Sequence, residues 1–218
     1  MERYSIACIQ AKGKAMKLFE ILFNEVAVSF SEIGKSEMAL KLIKNGESIL
    51  FILYRPSVLT KYFQTWESTD GLTVGMMHIV LSEDSNKIYE VKAAAAEQGY
   101  GPTLYDIVMS YVAPKYLMAD RKEVSDAARN VWRYMFDNRK AEYDMLSVSE
   151  EDKWKTSEGE DIPFINHAYR LKKKLSIYST LVLRDKQFFA NELDRNKREQ
   201  MLTMLEEDAW TYFRDRMK

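Results

Sequence analysis

The order of apolar and polar residues predicts buried strands separated by helices. A continuous apolar run at 48–54 predicts a strand covered on both faces. Apolar runs at 72–81 and 88–95 predict an antiparallel pair, because a short polar connection joins them. The alanines at 93–96 also fit the start of a helix, since alanine favours helix. We predict the crowded end of a strand there.

Apolar residues at intervals of three and four predict amphipathic helices elsewhere. These segments are 10–30, 36–44, 58–66, 102–112, the stretch after Ser125, and 185–218. In the 36–44 segment, Ser36 suits the N-cap and Gly46 suits the stop. The polar, acidic stretch 140–160 predicts an exposed loop, and the apolar residues at 162–165 then return to the core.

A glycine-rich turn joins a predicted strand to a predicted helix in the segment 97–105, Glu-Gln-Gly-Tyr-Gly-Pro-Thr-Leu-Tyr. Its glycines allow positive φ and let a ligand approach the backbone closely. Pro102 suits a first helical position, where its missing N–H would have no partner. The free amides and the positive end of the helix dipole favour an anion such as phosphate. The same pattern is also common in ordinary loops, so the surrounding sequence has to decide whether this is an anion-binding turn.

The composition narrows the class of protein. The 218 residues fit one domain, or one domain with an appendage, and 46% hydrophobic residues supply a core. A net charge of −1 gives no field that favours nucleic acid. With Cys8 as the single cysteine and two histidines, we expect no internal disulfide and no metal site. We expect a reducing cytoplasm, of a cell or an infected host, because the sequence has no signal-peptide pattern and no membrane-spanning run.

The segment 97–106 resembles the coenzyme A turn of the GNAT superfamily of N-acetyltransferases. With further residues between 117 and 132, the sequence resembles the acetyltransferase-like proteins of tailed bacteriophages. The resemblance spans 72–139 and extends at most to 165. It implies an α+β fold with a GNAT-like mixed, mostly antiparallel twisted sheet flanked by helices. Two splayed central strands of this sheet would hold acyl-coenzyme A.

The resemblance also implies how the chain is divided. Residues 1–165 would form the GNAT-like acyl-coenzyme A-binding domain. Residues 166–218 would form a helical C-terminal extension, packed on that domain or on a partner. The N-terminal part and the tail after Lys172 lie outside the motifs that carry the resemblance.

The implied cofactor is acetyl-coenzyme A, with its diphosphate on the glycine turn. By resemblance, the backbone amides of Gly99, Tyr100 and Gly101 would contact the diphosphate. The hydroxyl of Thr103, near the start of the following helix, would add a further contact.

Other cofactor contacts would come from the strand before the turn. Val91, with Glu90, would lie on the strand whose backbone pairs with the pantetheine arm. The family places Gln or Arg three residues before the first glycine, where this chain has Ala96. One phosphate contact is therefore missing, or Gln98 replaces it.

The resemblance implies a general acid on the helix that Ser125 caps, but the family's tyrosine position is Trp132 here. An indole cannot protonate a leaving thiolate as a phenol can. The acid is therefore displaced to Tyr134, Tyr100 or Tyr105, or it is absent. The candidates for the base that removes the amine proton are Glu90 and His78, although both also fit ordinary strand positions.

Two classes of function follow from these features. The first is an N-acetyltransferase that transfers an acetyl group from acetyl-coenzyme A to an amine, small or protein-borne. The second is a non-catalytic bacteriophage structural or virion assembly protein that keeps the fold as a scaffold. A third, weaker hypothesis is a host-takeover factor that modifies or masks a bacterial protein.

The expected partners differ between these classes. An enzyme needs an amine substrate or host protein. A scaffold would contact viral structural proteins, or a second copy, through the C-terminal helices, and would be located in the virion. The Lys172–Lys174 run fits a solvated helix face better than a phosphate site, so we expect no nucleic acid and no membrane contact.

Overall fold

The computed structural model describes residues 28–149, 153–155 and 157–216. A sheet with α-helices on both faces forms its centre. The helix predicted for 10–30 lies outside the described residues up to position 27.

The described residues form a seven-stranded sheet. Its strands are β1 (Ala39–Asn45), β2 (Ser48–Tyr54), β3 (Thr73–Leu81), β4 (Ile88–Ala96), β5 (Tyr116–Ala119), β6 (Tyr143–Ser147) and β7 (His167–Leu171). The spatial order is β1-β2-β3-β4-β5-β7-β6. Strands β4 and β5 are parallel, and the other neighbouring pairs are antiparallel. The expected mixed, mostly antiparallel sheet is therefore confirmed.

Six α-helices cover the sheet in the described part of the chain. They are α1 (Phe30–Lys35), α2 (Pro56–Thr65), α3 (Gly101–Val112), α4 (Asp126–Asn138), α5 (Ile177–Ala190) and α6 (Arg195–Arg216). One face of the sheet shares a buried apolar cluster with α1, α3, α4 and most of α5. The other face packs against α2 and α6.

Local sequence explains where several helices begin. Ser125 accepts a hydrogen bond from the amide of Ala128 through its side chain, which caps α4 as predicted. Ser29 and Glu32 form a reciprocal capping box on α1. Helices α2 and α3 each carry a proline in their first turn, where no N–H is required.

The helix predicted at 36–44 is wrong, because residues 39–45 form strand β1. Gly46 has φ +58°, and Asn45 pairs with Ser48 across a two-residue loop. Glycine at the first position of a two-residue loop is a hairpin signal, because that position requires a positive φ. Gly46 therefore closes a hairpin rather than ending a helix.

The predicted loop and extension after residue 139 also need correction. Residues 143–147 form the edge strand β6, inside the stretch predicted to be a loop. Residues 167–171 form β7, which lies between β5 and β6 in the sheet. The C-terminal helices therefore begin at Ile177, and position 166 does not separate the sheet from the extension.

Candidate functional site

Strands β4 and β5 pair over only the first part of β4. Their register runs from Ile88 opposite Tyr116 to Val91 opposite Ala119. Strand β5 ends there, whereas β4 continues to Ala96 and pairs only with β3 among the described strands. The sheet is therefore open beside β4 from residue 92 onwards. Glu90 and Val91, which were predicted to lie beside the pantetheine arm, both pair with β5, and backbone without a strand partner on this side begins at Lys92.

A β-bulge at Lys92 marks the point where the two strands separate. Ile79 of β3 pairs with Val91 and His78 pairs with Ala93, so Lys92 is the extra residue. A bulge bends its strand and increases the local twist, and bulges are frequent beside functional sites. The pairing between β4 and β5 thus ends beside this bulge.

The glycine turn connects this open end of β4 to α3. The Glu97 amide donates to the carbonyl of Val74 at 2.7 Å, and the Tyr100 amide donates to the carbonyl of Glu97 at 3.0 Å. Gly99 has φ +85°, which glycine adopts without steric cost. The turn is therefore anchored to β3 and closed by its own hydrogen bond.

Two of the three predicted anion-binding amides have no acceptor among the described residues. No described residue accepts a hydrogen bond from the amides of Gly99, Gly101 or Thr103. The first amides of a helix have no acceptor within it, and they lie at the positive end of its dipole. The Tyr100 amide is engaged within the turn. The Gln98 side chain is exposed, and Ala96 is half-buried at the end of β4.

A bidentate ion pair fixes the start of this turn. Arg55 donates to both carboxylate oxygens of Glu97, at 3.0 and 2.8 Å, and also to the carbonyl of Gly71 at 2.6 Å. The hydrogen bond to Glu97 is the main cause that raises the pKa of Arg55. Such fork-like pairs add geometric precision as well as energy. The pair holds the turn against the loop that precedes β3.

The segment at Val28 lies across the first turn of α3. The Val28 amide donates to the carbonyl of Gly99 at 3.1 Å, and the hydroxyl of Thr103 donates to the carbonyl of Val28 at 2.9 Å. Thr103 is buried, and its single hydroxyl proton is engaged. The hydroxyl that was predicted to contact the coenzyme therefore stabilises the fold in this structure.

Three charged side chains lie at the opening between β4 and β5. The ammonium of Lys92 lies 2.6 Å from a carboxylate oxygen of Glu90 and 3.4 Å from one of Asp120, the residue after β5. The side chains of Lys92, Glu90 and Asp120 are 29%, 13% and 16% exposed. Burial opposes the charge of Lys92, but the carboxylates outweigh it and raise the pKa of Lys92.

His78 lies one strand away from these charges. Its Nε2 is 2.8 Å from the hydroxyl of Ser48, and its ring meets Trp210 of α6 edge-on at 5.8 Å. Burial, followed by the charge of Lys92, lowers the pKa of His78. The imidazole is therefore neutral at neutral pH and can accept a proton.

The predicted catalytic residues Glu90 and Tyr134 lie on different faces of the sheet. Tyr89 and Val91 pack in the cluster that contains α3 and α4, so Glu90 between them points to the other face. Tyr134 is a half-buried residue of α4, against the first face. The structure thus places Glu90 near Lys92, and Tyr134 apart from it.

The acid position that the resemblance implies is filled by a core residue. Trp132 is 1% exposed, and its ring lies 5.0 Å from that of Tyr105 and 5.1 Å from that of Tyr169. Tyr105 is also buried, and burial raises its pKa well above the usual range. Tyr100 is half-buried at the N-cap of α3. Position 132 therefore holds a buried indole and no phenol that could act as the acid.

Sequence reasoning missed Lys92 and Asp120. Lys92 is a charged residue in the otherwise apolar end of β4, and Asp120 directly follows the apolar strand β5. Ligands of open sheets bind beyond the carboxyl ends of parallel strands, and β4 and β5 are such a pair. The sequence signal that could have revealed these two residues was a charged side chain towards the carboxyl end of β4 and another directly after β5.

The described residues contain no group of histidine, cysteine, aspartate and glutamate side chains that could hold a metal ion. None of their helices combines the length and the apolar character needed to cross a membrane.

The strand order, the single parallel pair among the described strands and the C-terminal helices are consistent with a GNAT-like fold. No family model and no curated protein matches the chain. Among solved structures, the chain is similar to a cAMP-binding acyltransferase from Mycobacterium smegmatis, with 10% identity and a TM-score of 0.34. The match covers 67% of this chain and 40% of that one, so the chain spans less than half of that protein.

Proposed function

We propose that the chain binds acetyl-coenzyme A between β4 and β5 and transfers the acetyl group to an amine. One observation carries the proposal. The backbone of β4 from Lys92 to Ala96 has no partner on the β5 side among the described strands, and it leads into a turn where the Gly99 and Gly101 amides have no acceptor in the described part of the chain. An unpaired strand edge suits an amide-containing arm, and free amides at a helix start suit a diphosphate.

The residues at the opening suit a direct transfer. Acetyl-coenzyme A supplies a thioester carbonyl, which a neutral amine attacks while the coenzyme thiol leaves. Glu90 and the neutral His78 are the groups that can take the amine proton. Glu90 first has to release Lys92, which holds it at 2.6 Å. Because Trp132 has no acidic proton to give, the thiolate would leave without a phenol at that position.

Thermal unfolding with coenzyme derivatives tests the binding site. Ligand at one hundred times its dissociation constant stabilises a protein by about 2.7 kcal/mol, which amounts to several degrees for a chain of this size. We expect this shift with acetyl-coenzyme A and a much smaller one with S-acetylpantetheine, which lacks the diphosphate. Equal shifts with the two ligands would show that the glycine turn does not bind the diphosphate. No shift with millimolar acetyl-coenzyme A would contradict coenzyme binding.

A matched pair of glycine variants tests the turn itself. Gly99 and Gly159 have nearly the same φ, +85° and +83°. Asparagine tolerates this conformation best after glycine, so Gly99→Asn and Gly159→Asn should lose similar, small amounts of stability. We expect only Gly99→Asn to lose the response to acetyl-coenzyme A, because a side chain there obstructs close approach to the backbone. An unchanged response in Gly99→Asn would contradict the site.

A second candidate is a non-catalytic protein, such as a virion component, that keeps this fold as a scaffold. Three features favour it: the indole of Trp132 in the core, the engaged hydroxyl of Thr103, and the ion pairs of Lys92 at the opening. Absence of both coenzyme binding and acetyl transfer, together with assembly through the C-terminal helices, would support this candidate.

A further inference from the structure

Trp66 occupies a position where glycine is the ordinary residue. It follows α2 with φ 57° and ψ 26°, the left-handed conformation, and its amide caps the helix by donating to the carbonyl of Tyr62 at 2.7 Å. Bulky side chains are disfavoured in this conformation, and helices commonly end on glycine here. The indole is nevertheless 71% exposed. A strained, exposed tryptophan is not explained by packing, and such outliers point to function.

The exposed indole contacts two half-buried aromatic rings. The ring centroids of Trp66 lie 5.6 Å from Tyr62 and 5.8 Å from Phe63, and those two rings are 5.3 Å apart. The three rings line one wall of a cavity of about 590 Å³ between α2 and α6, with Met204 on the opposite wall. This volume lies within the usual range for ligand sites.

The charged groups that line this aromatic groove are carboxylates. Glu199 and Glu207 of α6 line it, and Glu199 also pairs with the exposed Arg195 at 3.0 Å. Glu207 also borders a neighbouring cavity of about 640 Å³ along α6, to which Glu206 and Arg214 contribute. Beside Trp66, Lys61 is neutralised by Glu67 at 2.7 Å. The groove therefore combines aromatic faces with an excess of negative charge.

We propose that this groove is the docking site for a lysine- or arginine-bearing segment of a partner protein. A cation over the face of Trp66 gains the strongest of the cation–π contacts, and Tyr62 offers a second ring. Glu207 supplies the countercharge. Met204 gives the apolar stem of the side chain a flexible surface. This proposal is independent of coenzyme binding, because it concerns the surface of α2 and α6 rather than the opening beside β5.

The Trp66→Gly variant separates binding from stability. Glycine adopts the left-handed conformation freely, so we expect the melting temperature of Trp66→Gly to stay the same or rise. We expect the affinity for fluorescein-labelled octa-arginine, measured by fluorescence anisotropy, to fall about tenfold, as loss of a cation–π contact implies. Glu207→Gln should weaken the same probe about threefold and reduce the dependence of binding on salt.

Two variants outside the groove serve as controls. Leu193→Ala removes a largely exposed apolar side chain before α6, and Glu123→Gln removes an exposed carboxylate elsewhere. Neither should change binding of octa-arginine. Equal affinity in Trp66→Gly and the unmodified chain would overturn the proposal. A dimer at micromolar concentration, measured by sedimentation, would also overturn the proposal if Trp66→Gly dissociated it. The groove would then bind a second copy of the chain.

Discussion

The ammonium of Lys92 lies 2.6 Å from the carboxylate of Glu90, at the residue where β4 parts from β5. The same ammonium lies 3.4 Å from Asp120, so one cation pairs with a carboxylate from each side of the opening. Without Lys92, two half-buried negative charges would face each other at the end of the paired strands. The lysine therefore stabilises the opening on which the coenzyme proposal rests.

The first prediction concerns this lysine. Lys92→Met leaves two half-buried carboxylates without their cation, and we expect it to lower the free energy of unfolding by roughly 1–3 kcal/mol. The control is Lys61→Met, whose ion pair with Glu67 has side chains 67% and 58% exposed. Such surface pairs contribute little, so the control should change stability by about 0.5 kcal/mol or less. Urea unfolding measures both, and equal losses would show that Lys92 is not specifically required.

A second prediction concerns the phenol that the resemblance implies at position 132. Trp132→Tyr places a hydroxyl and a smaller ring in the core, so we expect it to destabilise the fold by roughly 1–3 kcal/mol and to add no acetyl transfer. Trp132→Phe makes the cavity without the hydroxyl and should cost less. A gain of activity in Trp132→Tyr, measured by release of coenzyme thiol, would mean that position 132 can reach the thiolate.

Three of the seven described strands, β2, β3 and β4, were predictable because their pattern is local. Strand β2 is a continuous apolar run, and the β3–β4 pair has a short polar connection. The start of α4 was predictable from the Ser125 cap, and that of α3 from Pro102 after the glycines. In each case neighbouring residues alone determine the conformation, so the sequence pattern was sufficient.

Other features depend on distant partners. The bulge at Lys92 exists because β3 pairs with β4 on both sides of it, and no periodicity within β4 reveals it. Strands β6 and β7 are short, and β6 is an edge strand with polar residues between its apolar ones, so its pattern resembles a loop. The engagement of Thr103 by Val28 joins residues 75 positions apart. Such relationships follow from tertiary packing and were not predictable from local pattern.

A third prediction concerns pH and the buried Asp106 of α3. Its carboxylate pairs with Arg139 at 2.7 Å and accepts a hydrogen bond from Tyr143 at 2.7 Å. Arg139 also forms an ion pair with Glu142. Burial, only partly opposed by Arg139, raises the pKa of Asp106 from 3.8 to about 6. Between these values the folded chain keeps a proton that the unfolded chain releases, so this contribution to stability is present below about pH 4 and is lost as pH rises through 6.

The Asp106→Asn variant measures this effect, because it removes the titrating group and keeps the shape. We expect the stability of the unmodified chain relative to Asp106→Asn to decrease between pH 4 and pH 6.5, by on the order of 2 kcal/mol. Urea unfolding at several pH values gives both curves. A difference that grows with pH over this range would mean that Arg139 outweighs burial and that the pKa of Asp106 is lowered.

The last prediction concerns the hydroxyl of Tyr105, which is buried without a hydrogen-bond partner among the described residues. Tyr105→Phe removes this unsatisfied group and keeps the ring against Trp132, so we expect it to raise the free energy of unfolding by about 1 kcal/mol. The matched control is Tyr143→Phe, which removes a buried hydroxyl that donates to Asp106 at 2.7 Å and should lower stability by roughly 1–3 kcal/mol. Chemical unfolding compares the two variants at one pH. If Tyr105→Phe instead abolishes acetyl transfer while the fold is retained, Tyr105 is the displaced acid and its hydroxyl is kept for chemistry rather than for stability.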